Sequence, residues 1–87
     1  MNLYLLTQTD TTGYDTYDSC VVHCKNEDVA REMCPGTKDG VWPDMYKKKS
    51  KRGYGWVNPP NVTVTFLGVS AYQTNNNSVI CSSFNAG

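Results

Sequence analysis

No stretch of this chain is long and apolar enough to suggest a membrane span. The longest apolar run near the start is Leu3 to Leu6, short of the ~20 residues a span requires and of a signal-peptide core. A protein kept in a cytoplasm is therefore expected, with Cys20, Cys24, Cys34 and Cys81 as reduced thiols, although four cysteines could pair in three ways if oxidised. There is no excess of charge either: eight Lys+Arg balance eight Asp+Glu, which weakens any long-range steering onto nucleic acid. Histidine occurs once, and no G-x-S-x-G, P-loop, G-x-G-x-x-G or H-E-x-x-H motif is present, so neither an enzyme nor a cofactor is expected. A length of 87 residues leaves room for one small domain, residues 1–87, with a thin core. That excludes a two-domain enzyme and makes a deep catalytic cavity costly.

Hydrophobic patterning supplies the elements. Asn2 to Gln8 carries apolar residues on both faces of a strand, as an interior strand does. Residues 9–18 read as an exposed, acidic, aromatic loop, and Ser19 to Lys25 as a second strand built on the β-branched pair Val21-Val22. Asn26 is a good N-cap, with Glu27 and Asp28 complementing the positive end of a helix dipole. The helix is expected to run to Pro35-Gly36 and to bury Val29, Ala30, Met33 and Cys34 as one stripe. Residues 36–60 show no period and are punctuated by glycine and proline, predicting a long irregular loop anchored by Trp42 and Trp56. Asn61 to Ser70 alternates cleanly as a strand, and Val79 to Phe84 is a last strand with Ile80 and Phe84 on one face. The last two strands, joined through an asparagine-rich turn, are expected to form a hairpin. The whole predicts an α+β fold: about four strands in an antiparallel or mixed sheet, with one short helix packed on it.

Chemistry-bearing residues are few. Cys20-x-x-His23-Cys24 with Cys34 resembles a zinc cluster, but along a strand Cys20 and Cys24 lie ~13 Å apart and His23 points to the other face. His23 as a base for Cys34 or Cys81 has no support in spacing. Charge distribution says more. Residues 1–44 hold all eight acids and three basics, a balance of −5, while residues 45–87 hold five basics and no acid, a balance of +5. Those five, Lys47, Lys48, Lys49, Lys51 and Arg52, stand beside Tyr54 and Trp56. Such a segment meets an acidic surface on a host protein or protein complex, grips nucleic acid by phosphate neutralisation and base stacking, or is simply a solvated loop. Tyr14, Asp15, Tyr17 and Asp18 offer a second, acidic and aromatic surface suited to a protein interface. No membrane partner is expected, and the chain is read as a monomer or small homo-oligomer.

Several segments together resemble a group of short proteins encoded by bacteriophages and prophages. They are the opening Met1-Asn2-Leu3-Tyr4-Leu5-Leu6, the Thr12-Gly13-Tyr14-Asp15-Thr16-Tyr17-Asp18-Ser19 loop leading into Val21-Val22, the Asn26-Glu27-Asp28-Val29-Ala30-Arg31 helix start, and the closing Val79-Ile80-x-x-Ser83-Phe84-Asn85-Ala86-Gly87. The resemblance spans both ends and most of the first 35 residues and is weak across the lysine-rich loop. It carries no catalytic residues. What it implies is context: small phage accessory proteins act stoichiometrically in the host cytoplasm by covering a functional surface of a host protein, and anti-CRISPR inhibitors are similar in size.

Overall fold

Strand β1 (Asn2–Thr7) and strand β2 (Thr16–Cys24) pair antiparallel, with Leu6 opposite Cys20 and Asn2 opposite Cys24. A short helix, α1 (Glu27–Arg31), follows; strands β3 (Thr63–Val69) and β4 (Ser78–Asn85) close the chain. The computed structural model describes residues 1–86, and Gly87, the last residue of the closing motif, lies outside them. The sheet has four antiparallel strands in the order β3-β1-β2-β4, with α1 packed against β1, β2 and β3. This is a small α+β fold. No helix among the described residues is long and apolar enough to cross a membrane.

The interior position of β1 follows from its sequence, since apolar side chains on both faces suit a strand with neighbours on both sides. The hairpin expected of the last two strands does not form: β3 and β4 occupy opposite edges. The asparagine-rich segment 70–77 is a crossing connection that passes three strand spacings, roughly 14 Å, because β3 pairs with the free edge of β1 and β4 with the free edge of β2. The strand β2 also starts earlier than its β-branched pair suggests, at Thr16, so Thr16 to Asp18 belong to the sheet. In β4 a bulge at Ile80 lets Val79 and Cys81 face consecutive residues of β2. It breaks the alternation that would place Ile80 and Phe84 on one face.

Alternation along β1 and β2 defines two faces. Tyr4, Leu6, Cys20, Val22 and Cys24 point inward and are buried. Over them folds the chain between Asn26 and Val62, contributing Ala30, Met33, Cys34, Trp42, Trp56, Val57 and Val62 to one core. Asn26 caps α1, its side-chain oxygen accepting from the Val29 N–H at 2.9 Å. The helix ends at Arg31 rather than at Pro35: the Met33 N–H reaches back to Ala30 and the Cys34 N–H turns to the Gly40 carbonyl at 2.7 Å. Met33 and Cys34 are buried all the same, so the apolar stripe is real but outlasts the helix. The irregular segment carries three 3₁₀ turns, Asp44–Tyr46, Lys51–Tyr54 and Pro59–Asn61. Arg31 ties the last of these to the helix, donating to the Val62 carbonyl.

Candidate functional site

The two charged segments singled out by composition meet at one end of the sheet. Gly55 adopts a left-handed conformation with φ of 85°, and a Cβ there would collide with the Asp15 carbonyl; only glycine allows this approach. Its carbonyl accepts the Tyr17 N–H at 2.8 Å. Asp15 is itself left-handed at φ of 59°, a conformation aspartate tolerates better than most residues, and its N–H donates to the Asn85 carbonyl. Gln8, buried beneath, donates to the carbonyls of Thr11 at 2.7 Å and Tyr17 at 2.8 Å and accepts from the Thr11 N–H. One amide thus staples the acidic loop to the sheet.

The basic segment is wound round an aromatic cluster. Tyr54 stacks on Tyr17 with centroids 6.0 Å apart and takes the edges of Trp42 and Tyr46, each at 5.1 Å. Tyr17 also packs on Phe84 at 4.6 Å. Burial first, and then the neighbouring Cys34 thiol and Tyr17, push the Tyr54 phenol well above its ordinary range. Lys51 points inward and is only 7% exposed. Its ammonium lies 5.0 Å from the Trp42 ring centroid and donates to the carbonyls of Tyr46 and Lys47. A buried ammonium is tolerated only when its donors are met. Here two carbonyls and a ring face do that without a carboxylate.

These contacts divide the proposed contact residues into two groups. Lys47, Lys48, Lys49 and Arg52 are exposed and remain available to a partner. Lys51 and Trp56, the latter 1% exposed, are structural: they hold the loop from inside and have no surface to present, which corrects the expectation that they touch a partner. Tyr54 is half-buried as the hub of the aromatic cluster. On the acidic side Tyr14 is 80% exposed and Asp15 is exposed, while Tyr17 and Asp18 are half-buried, Asp18 accepting from the Asn85 amide at 3.1 Å. Met45, on the first 3₁₀ turn, is 65% exposed and was not expected; an isolated methionine between polar residues carries no signal in sequence. Lys47 is paired at 3.0 Å with exposed Asp44, a contact of little energetic weight.

The cysteines and the histidine separate as strand alternation requires. Cys20 and Cys24 are on the inner face and His23 on the outer. All four thiols are free, and among the described residues no three His, Cys, Asp or Glu side chains converge as metal ligands do. His23 is not a partner of Cys34 or Cys81: its ring nitrogens bond Ser70 and Thr74. Comparison with protein-family models, with curated proteins and with solved structures returned no match.

Proposed function

We propose that the protein is a phage-encoded binding protein that works by occupancy rather than turnover, docking on an acidic patch of a host protein complex in the host cytoplasm and inhibiting or redirecting it, as anti-CRISPR inhibitors do. One observation carries the reading: Lys47, Lys48, Lys49 and Arg52 are solvated cations mounted on a loop that is fixed from within by Lys51, Tyr54 and Trp42. A preorganised loop loses little entropy on docking, and its clustered charge accelerates encounter with an acidic partner. Exposed Tyr14 and Met45 supply the apolar contact that charge alone does not. The nucleic-acid alternative is less well supported, because stacking on bases needs free rings and Trp56 lies inside the fold while Tyr54 is half-buried.

The test begins with a tagged chain expressed in a bacterial host that carries defence systems, followed by mass spectrometry of what elutes in near-equal amount. The variant with Lys47, Lys48, Lys49 and Arg52 changed to alanine is then compared for association rate with that partner. A fall of about tenfold or more at low salt, with a flattened salt dependence, is expected. An unchanged rate removes the role of this loop. Recovery of nucleic acid alone, lost on nuclease treatment, replaces the protein partner by nucleic acid.

A further inference from the structure

At the other end of β2, roughly 20 Å along the strand from Tyr17, the crossing connection 70–77 folds over the outer face. His23 is fully buried there. Its Nε2 lies 2.9 Å from the Thr74 carbonyl oxygen, which can only accept, so Nε2 carries a hydrogen. In the neutral ring Nδ1 is then an acceptor, and the Ser70 hydroxyl donates to it at 2.6 Å. The Tyr72 N–H donates to Ser70 Oγ at 3.1 Å, and the Tyr72 ring stands edge-on to the imidazole with centroids 5.2 Å apart. Of the two lone pairs on Oγ, one takes that N–H and the other is uncommitted. Ser70 is half-buried on the wall of a groove of about 680 Å³ whose apolar lining comes from Leu3, Ala71, Tyr72, Val79 and Ile80.

A hydroxyl within hydrogen-bond reach of an imidazole, with the imidazole oriented by a third group, is the arrangement that activates a serine nucleophile. We propose that Ser70 is an acyl-acceptor serine, with His23 as its base, and that the groove admits uncharged esters with a short apolar acyl chain. Ser70 Oγ attacks the ester carbonyl carbon as its proton passes to His23 Nδ1. The tetrahedral adduct collapses with cleavage of the carbon–oxygen bond to the leaving group, which takes the proton from Nδ1 and departs as the alcohol. Nothing is oxidised or reduced. The transient imidazolium is stabilised through its Nε2–H bond to the Thr74 carbonyl. The lining carries one cation, Lys38, and one carboxylate, Asp39, and so no net charge that would select a charged acyl group.

The test uses the full chain and p-nitrophenyl butyrate, with intact and peptide mass spectrometry locating the adduct. A single butyryl group on Ser70 is expected, forming about 100-fold faster than on the urea-unfolded chain, in line with the contribution of a positioned base. Ser70→Ala abolishes it, and Ser78→Ala, which changes a neighbouring hydroxyl of the same groove, leaves it intact. Should Ser70→Ala fail to fold by circular dichroism, Ser70→Cys keeps a nucleophile of similar shape and is acylated at residue 70. Absence of an adduct, equal rates on folded and unfolded chains, or acylation confined to surface lysines overturns the proposal.

Discussion

Leu5 and Leu6 are neighbours on β1 with the same side chain and opposite fates. Leu6 is fully buried between Cys20 and Val64 of the flanking strands, under the segment that carries Trp42 and Trp56. Leu5, opposite Val21 and Thr65, is half-buried on a face that the 70–77 connection partly covers. An inner face closed by the chain from Asn26 to Val62, helix α1 and the long connection after it, holds the fold together. The outer face is left to threonine, serine and a few aliphatic side chains, together with the His23 and Ser70 groove. The fold is thus a sheet with one committed face. Its charged pole is an outgrowth of the covering layer, and its groove belongs to the uncovered side.

The sharpest way to break this contrast is to empty the inner face. Trp56→Ala is expected to lose about 3–5 kcal/mol, enough to unfold a domain of this size, as urea melts read by tryptophan and tyrosine fluorescence would show. Trp56→Phe costs much less, because the indole N–H has no hydrogen-bond partner among the described residues and its loss sacrifices nothing polar. Next is Lys51→Ala. It releases the carbonyls of Tyr46 and Lys47 and removes the ring contact with Trp42, for an expected loss of about 1–3 kcal/mol. It also loosens the loop under Lys47 to Lys49, so partner binding weakens although the ammonium itself is buried. Equal stability of Lys51→Ala and the native chain in thermal melts would show that the loop stands without its internal tie.

A smaller effect appears at alkaline pH. Burial first, and then nearby Cys34 and Cys81, push the Cys20 thiol from its ordinary 9.0 up to about 12, and burial raises Cys24 as well. The unfolded chain releases these protons before the folded one. Their stabilising contribution is therefore full below pH 9 and is lost as pH rises from about 9 toward 12. Cys20→Ala should flatten that decline in melts across the window, whereas Cys81→Ala, exposed on β4, should leave it largely in place.

How much of this was legible beforehand depends on how local each feature is. The strands, the Asn26 cap and the interior position of β1 were readable, because alternation and capping are written within a few residues. The order β3-β1-β2-β4 was not: Asn-rich turns between two strands usually mean a hairpin, and only the long-range pairing of β3 with β1 and of β4 with β2 rules it out. Lys51 and Lys48 are indistinguishable as letters in a basic run, yet one is turned inward by an aromatic cluster assembled from Tyr17, Trp42, Tyr46 and Tyr54. His23 and Ser70, 47 residues apart, meet through the crossing connection, and no spacing rule connects them.

The smallest expected effect tests the contrast most directly, because it changes the same side chain one residue along. Leu6→Ala on the inner face should cost about 2–5 kcal/mol through lost transfer energy and the cavity left behind. Leu5→Ala removes the same methyl and methylene groups from a half-buried position. No cavity is sealed there, so only part of the transfer term, about 1 kcal/mol or less, is lost. Both variants keep the β1 hydrogen bonds to β2 and β3, so a difference between their urea midpoints reports the two faces and not the strand. If Leu5→Ala proves as damaging as Leu6→Ala, the outer face is closed in solution, and the added cover can come only from association of the chain with itself. In that case the Leu5→Ala melt shifts with protein concentration, while the Leu6→Ala penalty persists at dilutions where the chain is a monomer.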